Sequence, residues 1–494
     1  MKYYVTTPLY YVNSTPHIGT AYTTVMADIV ARYKRLQGYK VFFLTGTDEH
    51  GLKIQRAAEK AGKEPKEFCD SVVEKFKDAW KKLNISYDYF IRTTDPNHEE
   101  AVKHLFLELK KKGDIYLGTY KGYYCVSCEN YVAASKLKEG KYCPDCGKEV
   151  ETMEEESYFF RLSKYQDALL EYYEKNPDFI LPRFRANEII NFVKSGLQDL
   201  SISRTSFKWG IPVPFDEKHV FYVWFDALTN YISAVGYPHC NEFWPADVHF
   251  VGKDILKFHA IIWPAMLLAL GLELPKTIFA HGWWLIGKEK VSKSKGNIVD
   301  PLQLAEKYGV DALRYFYAAE IPFGQDGEFS EENLKKRLNN ELADNLGNLA
   351  LRVFTLINKF CNGIIPLSRP FAEFEDFVIK RIVNAELHFD KFEFHLGVIK
   401  LNEIVNEANR LLNDKAPWKK DVAKEERERV LYNLAEALRI ISIAYYPIMP
   451  ESMGKLRKMF GFAEKLDFAN AKKFSLIPPM TRLGNKEILF RKVE

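Results

Sequence analysis

The chain has 494 residues, 47% of them hydrophobic and 28% charged, with a formal net charge of +4 at neutral pH. That is an ordinary soluble globular composition, long enough for roughly three domains at about 150 residues each. The mildly basic balance permits a polyanionic partner without demanding one. No secretory pattern opens the chain, since MKYYVTTPLYYV lacks a basic segment followed by an apolar one. The longest apolar run, 260–272, is interrupted by Pro264 and too short to span a bilayer. These features predict a cytoplasmic protein with no membrane segment and with reduced thiols.

The first segment, Lys2 to Val12, is rich in Tyr, Val and Thr and reads as a strand. Ile18, Tyr22, Val25, Met26, Ile29, Val30, Tyr33 and Leu36 then fall on one face of a helix. Pro16 suits its first turn and Gly38 its stop. A second strand follows in KVFFLTGTD, then a helix from about Leu52, and this alternation predicts a parallel α/β sheet. From about Gly118 the chain becomes Tyr-, Lys- and Cys-rich, so residues 118–220 read as an insertion. Strand signals return in HVFYVWFDAL and DVHFVGKDI, followed by an apolar helix over His259 to Leu270, which places the second half of the sheet there. After about Glu331 the strands stop. Leu334, Leu338, Leu342, Leu346, Leu349, Val353, Leu356 and Phe360 recur at helical spacing, as do stripes over 392–412 and 430–441, predicting a helical bundle.

Cys125-Val-Ser-Cys128 and Cys143-Pro-Asp-Cys146 bring four thiolates within reach of one tetrahedral ion, across 14 intervening residues. Such a zinc would be structural, because four cysteines leave no open coordination position. A redox pair is the alternative; Cys69, Cys240 and Cys361 stand alone and read as small core residues. His17 lies between Pro16 and the start of the first helix, whose free N–H groups and dipole suit a phosphate. Gly19 would let a nucleotide base approach the backbone. By itself this is also an ordinary helix start, and no G-x-x-x-x-G-K-[ST] loop or G-x-G-x-x-G fingerprint is present. Lys290-Val-Ser-Lys-Ser294 could grip a triphosphate and neutralise a leaving pyrophosphate, or could be a solvated lysine loop.

The two weak signals gain meaning as a pair. H-x-G-T near the first strand and K-V-S-K-S beyond the second half resemble the HIGH and KMSKS signatures of class I aminoacyl-tRNA synthetases. The strings PLYYVNSTPHIGT, TGTDEHG, YVWFDAL, FVGKDILKFH, HGWW, KVSKSKGN and KAPW are similar to those of the methionyl-tRNA synthetase family, and the likeness covers nearly the whole chain. It implies a Rossmann-like catalytic domain over 1–117 and 221–283, split by a zinc-bearing connective insertion over 118–220. A KMSKS-loop and stem-contact region over 284–344 and a helical anticodon-binding domain over 345–494 would follow.

The resemblance further implies a two-step reaction, in which L-methionine and ATP form methionyl-adenylate and the methionyl group passes to the 3′ end of tRNA(Met), the initiator included. His17 and Thr20 would then serve at the signature helix, and Lys290 and Lys293 would close over the pyrophosphate. Gly19, Lys253 and Asp254 would lie at the nucleotide, with Mg²⁺ accompanying ATP. Asp48 matches the carboxylate that receives the amino acid's ammonium, and Leu9, Tyr11, Trp224, Tyr231, Phe258 and His259 match positions lining the side-chain pocket. Taken singly, Trp224, Tyr231 and Phe258 read more readily as core residues, and only their joint match lifts them. Trp418, with Pro417, Asn348 and Arg352, matches the anticodon site, although a Trp among lysines can also be a packing anchor and Arg352 a solvated charge.

Three departures stand out. Thr20 replaces the second signature histidine, so a phosphate donor is lost or supplied by a shorter hydroxyl. Val291 stands where Met is common. The chain ends soon after its helical region, so an additional C-terminal tRNA-binding domain is expected to be missing or carried on a separate chain. Two other readings compete: a class I synthetase for another apolar amino acid, and a non-catalytic zinc-bearing RNA-binding protein. The short insertion speaks against the editing domains used for Leu, Ile or Val, and an ammonium pocket with a pyrophosphate loop speaks against mere RNA binding.

Overall fold

The computed structural model describes residues 1–13, 15–132, 134–286 and 299–493, with the backbone path of 289–290. Strand β1 (Lys2–Tyr11) leads to helix α1 (Ile18–Leu36) and strand β2 (Lys40–Asp48). Helices α2 (Leu52–Lys60) and α3 (Pro65–Lys82), strand β3 (Tyr89–Arg92) and helix α4 (Pro96–Lys111) follow. Helix α1 begins where a side chain can serve its orphan amides: the His17 ring accepts from Gly19 N, and the Thr20 hydroxyl accepts from His17 N at 2.9 Å. Pro16 therefore sits just before the cap rather than in the first turn. Gly38, at φ +84°, lets the chain leave the helix.

Strand β4 (Ile115–Cys125) opens the insertion. It pairs antiparallel with β5 (Asn130–Val132) and β6 (Glu151–Phe160). Helix α5 (Gln166–Lys175), strand β7 (Ile180–Leu181) and helix α6 (Arg183–Lys194) come next, then the short strands β8 (Leu200–Ser201), β9 (Ser203–Arg204), β10 (Pro212–Val213) and β11 (Asp216–Phe221). Two expectations change here. β7 pairs parallel with the main sheet, so residues 118–220 are not wholly separate from it. HVFYVWFDAL is a strand only to Phe221; β11 joins a small antiparallel sheet with β9 and β10, and Val223–Leu228 is helix α7. A short apolar run buried on all sides has no periodicity to separate strand from helix.

Helix α8 (Asn230–Ser233), strand β12 (Val248–Gly252), helix α9 (Trp263–Leu270) and strand β13 (Ile278–His281) complete the sheet. Its strand order is β3-β2-β1-β12-β13-β7, and every pairing is parallel. Neighbours along a strand face opposite sides: Tyr4, Leu44, Val251 and Ala280 enter one apolar core, while Val5, Phe43, Phe250 and Phe279 enter the other. Both faces are covered, as a parallel sheet requires. The chain moves outward from β1 through β2 and β3, and later from β12 through β13. The crevice at the carboxyl ends of β1 and β12 is therefore the topological switch point where such sheets bind ligands.

Helices α10 (Pro301–Tyr308), α11 (Val310–Ala319) and α12 (Glu331–Arg337) lead through a π-helical stretch, Leu338–Gly347, directly into α13 (Asn348–Cys361). The expected domain limit at 344–345 thus falls inside one continuous helical run. Helices α14 (Ala372–Asp390), α15 (Phe394–Lys415), α16 (Lys424–Ala444) and α17 (Pro450–Phe460) build the bundle. Its core is continuous with the α1 side of the sheet. Among the described residues, no helix is long and apolar enough to cross a membrane.

Candidate active site

Asp48 ends β2 at the crevice. It is buried, and its Oδ1 meets no hydrogen-bond partner. Burial, and then the nearby Asp226 and Glu129 carboxylates, hold its pKa well above the usual carboxylate range, against a smaller opposing pull from Lys53. A buried carboxyl in that state is a receptor for a cation. Tyr11, at the end of β1, also has a hydroxyl without a partner.

Beside them lies an aromatic wall. The Trp224 and Phe258 rings stack at 3.7 Å between centroids, 5° from parallel, and Trp224 Nε1 has no partner. His259 Nδ1 lies 3.0 Å from Ile255 O, a contact that requires the proton on Nδ1, so Nε2 accepts from the Tyr231 hydroxyl at 2.7 Å. Burial lowers the His259 pKa to about 4, leaving a neutral ring at physiological pH. Behind it, His249 stacks on Tyr231 and accepts from Trp263 Nε1 at 3.3 Å, so it too is neutral; burial pushes its pKa well down. Leu9, half-buried on β1, packs against the same core. The result is an apolar pocket with neutral polar groups and one buried carboxyl end.

At the start of α1, the Ile18 amide donates to Val299 O at 3.1 Å. This bond brings the signature helix and the end of the lysine segment together. Since His17 Nδ1 accepts from Gly19 N at 3.0 Å, the proton of the neutral ring sits on Nε2. The ring also fills the space a Cβ on Gly19 would take, 3.0 Å from His17 Cε1, so the room left by that glycine serves the cap here rather than a base. Thr20 donates its single hydroxyl proton to His17 O at 2.8 Å. It completes the cap, with its hydroxyl between His17 N and His17 O. Lys253 is ion-paired with Asp326 at 2.5 Å and lies 4.0 Å over the Trp283 ring, whose Nε1 donates to Asp254 Oδ1 at 3.2 Å. The Lys290 side chain and all of Lys293 lie outside the described residues.

The four cysteines Cys125, Cys128, Cys143 and Cys146 gather with their sulfurs within 4.8 Å of one another. Tetrahedral zinc with Zn–S bonds of about 2.3 Å spaces its sulfurs by about 3.8 Å, so the donor set fits that ion. On the helical bundle, Trp418 is 40% exposed, which argues against a packing anchor. The Arg352 guanidinium lies 5.3 Å from its ring centroid and donates to Asn413 Oδ1 at 2.8 Å. Asn348 is exposed one turn away, and Pro417 is buried.

Several partners carried no signal of their own in the sequence. Asp226 accepts from His50 Nδ1 and His98 Nε2, both at 2.7 Å, which ties the Trp224 helix to the loop after Asp48. His281 hydrogen-bonds Thr23 of α1 at 2.7 Å. Arg427 grips the Trp418 loop through Pro417 O at 2.7 Å and the Lys419 and Val422 carbonyls at 3.0 Å. Glu129 follows Cys128 yet reaches the start of α2, where its Oε1 accepts from Lys53 N at 2.9 Å. His50 and His281 lie inside quoted strings, but nothing in their spacing discloses the partner.

A split parallel sheet with a capped signature helix beside the lysine segment, and a carboxyl-bearing aromatic crevice at its switch point, is the architecture of a class I aminoacyl-tRNA synthetase. The family described as tRNA synthetases class I (M) matches residues 3–152 and 142–354. The methionine–tRNA ligase of Caldanaerobacter subterraneus subsp. tengcongensis is 51% identical over 506 residues, covering 100% of this chain and 79% of that protein. The Thermotoga maritima methionine–tRNA ligase is 47% identical over 507 residues, 100% of this chain and 81% of the relative. The Mycobacterium tuberculosis methionyl-tRNA synthetase in complex with methionyl-adenylate superposes with a TM-score of 0.95 at 44% identity, over 99% of this chain and 100% of that one. Its free form gives 0.89 at 40% identity, over 100% of this chain and 99% of that one. The chain belongs to the methionyl-tRNA synthetase family.

Proposed function

We propose that the crevice at the ends of β1, β2 and β12 activates L-methionine with ATP, and that the helical bundle presents Trp418 to the anticodon of tRNA(Met). The observation that carries this reading is the buried Asp48 carboxyl, its Oδ1 without a hydrogen-bond partner, beside a neutral aromatic pocket. Asp48 takes the ammonium. Leu9, Tyr11, Trp224, Tyr231, Phe258 and His259 take the thioether, a soft group that suits aromatic contact. The methionine carboxylate oxygen then attacks the α-phosphorus of ATP, the bond to the bridging oxygen breaks, and pyrophosphate leaves. No covalent enzyme intermediate is needed, so the protein contributes positioning and charge stabilisation.

His17 donates from Nε2 toward the phosphates at the helix start, and Ile18 and Gly19 keep their amides on Val299 and His17. Lys253 and Asp254 flank the nucleotide, Lys253 exchanging Asp326 for phosphate. Lys290 and Lys293 neutralise the departing pyrophosphate, and Mg²⁺ enters with ATP. In the second step a hydroxyl of the tRNA 3′-terminal ribose attacks the adenylate carbonyl and AMP leaves. Cys125, Cys128, Cys143 and Cys146 would hold one Zn²⁺, which supplies a cross-link within the insertion and no reacting group.

The test is ATP–pyrophosphate exchange across amino acids without tRNA. Exchange driven by methionine is expected; a stronger response to leucine or cysteine would overturn the reading. At the other end of the molecule, Trp418→Ala should lower kcat/KM for tRNA charging by about 10- to 100-fold, the worth of one stacked base, with exchange unchanged. Loss of both together would instead assign Trp418 to folding.

A further inference from the structure

The amino-acid end of the crevice holds more unsatisfied polar atoms than Asp48 alone accounts for. Tyr11 Oη, Asp48 Oδ1, Trp224 Nε1 and Glu129 Oε2 are all buried without a hydrogen-bond partner. Glu129 is fully buried, and its carboxylate interacts electrostatically with both Tyr11 and Asp48. One of its oxygens is committed to Lys53 N at 2.9 Å. The other lies against the chain just after Asp48, 2.8 Å from where a Cβ on Gly51 would stand. Only a glycine tolerates that approach, and Gly51 has φ +100° besides. Glu129 itself holds the left-handed conformation, φ +50°, immediately after the cysteine pair, a strained backbone for a side chain with a β-carbon.

A buried acceptor with nothing to accept is costly unless a ligand completes it. The charges tell the same story. Asp48 and Glu129 bring two carboxyls, while Lys53, 4.2 Å over the Tyr11 ring and donating to Ser127 O at 3.2 Å, brings one cation. Asp226 is already matched by His50 and His98, and Arg204 by Glu155. Once the proton on Asp48 is displaced, one incoming positive charge with several N–H donors closes the set. An α-ammonium has three such donors, and Asp48 Oδ1 can receive only part of them.

We propose that Glu129 is a second acceptor of the methionine ammonium, delivered to the amino-acid site by the cysteine-bearing insertion. This rests on the reading of Asp48 as the first acceptor. It makes the insertion a contributor to substrate recognition as well as a fastening.

The experiment uses the zinc-loaded full chain and calorimetric dissociation constants for two ligands that differ only at the α-substituent: L-methionine and 2-hydroxy-4-(methylthio)butanoate. Glu129→Gln is expected to weaken methionine about tenfold or more while the hydroxy acid, which brings no positive charge, changes by less than about threefold. Bound zinc and the melting temperature should match wild type. Equal weakening of both ligands, or of neither, overturns the proposal. Should Glu129→Gln lose zinc or unfold, Glu129→Asp is measured in the same way and must show the same selective loss. The two readings fail separately. If Asp48→Asn leaves the preference for methionine intact, the ammonium site itself is misplaced; if it abolishes the preference and the Glu129 variants do not, only this inference falls.

Discussion

Asp48→Asn is expected to lower kcat/KM for methionine in pyrophosphate exchange by on the order of 10²- to 10³-fold, the cost of removing one partner of a buried charge pair. Asparagine keeps the size and one acceptor oxygen, so the fold and the KM for ATP should be retained. The same carboxyl predicts a pH dependence. Burial and its acidic neighbours raise its pKa well above the ordinary value, so the free site tends to hold a proton that the incoming ammonium must displace. Methionine affinity should therefore rise with pH while the amino acid stays protonated. Calorimetry in buffers of different ionisation heats should show proton release on binding. An Asp48→Asn enzyme with near-normal methionine kinetics, or binding without proton release, would remove Asp48 from this role.

Arg314→Met should cost about 3–5 kcal/mol of stability, the usual penalty for breaking a buried pair from one side. Arg314 is fully buried in α11 and donates to Asp28 Oδ2 of α1 at 2.6 Å, to Ile448 O at 2.8 Å and to Pro447 O at 2.9 Å. Asp28 also accepts from Arg32 at 2.7 Å and from the Ser86 hydroxyl at 2.6 Å. The network joins the signature helix, the loop after α3 and the helical bundle. Burial acts to raise the Asp28 pKa, but Arg314, Arg32 and Ser86 outweigh it and hold it below the ordinary value. In the unfolded chain Asp28 takes up its proton near its reference pKa of about 3.9. Its stabilisation is thus present above that pH and is lost as pH falls through the lower native value. Without Arg314, acid unfolding should begin at higher pH. Scanning calorimetry across pH checks both effects, and an unchanged melting temperature would show that the network holds little.

The sheet and the bundle were legible wherever a pattern had room to repeat. Nineteen residues of α1 carry an apolar stripe, and 334–360 carries another, so both helices could be read directly. HVFYVWFDAL misled because a short buried run has no repeat to inspect, and the two-residue strand β7 is too small to leave a trace. Of the candidate site, the cysteine set and the aromatic strings were visible as residue types. Thr20 was visible as a departure, but only the fold shows its hydroxyl bonded to His17 N and O at the helix cap.

What this chain's sequence determined by itself is chemistry carried within short segments: two C-x-x-C pairs, a histidine before a helix, and a lysine-rich K-V-S-K-S string. Local spacing suffices for these because the participating groups are neighbours along the backbone. What only the tertiary structure decided is which distant groups share one buried space. Asp226 between His50 and His98, and Arg314 against Asp28, join residues 128 to 286 positions apart, and Glu129 beside Asp48 joins two that are 81 apart. Burial removes water as the alternative partner, so each such group takes its properties from whatever the fold sets against it, and nothing in the linear order names that neighbour.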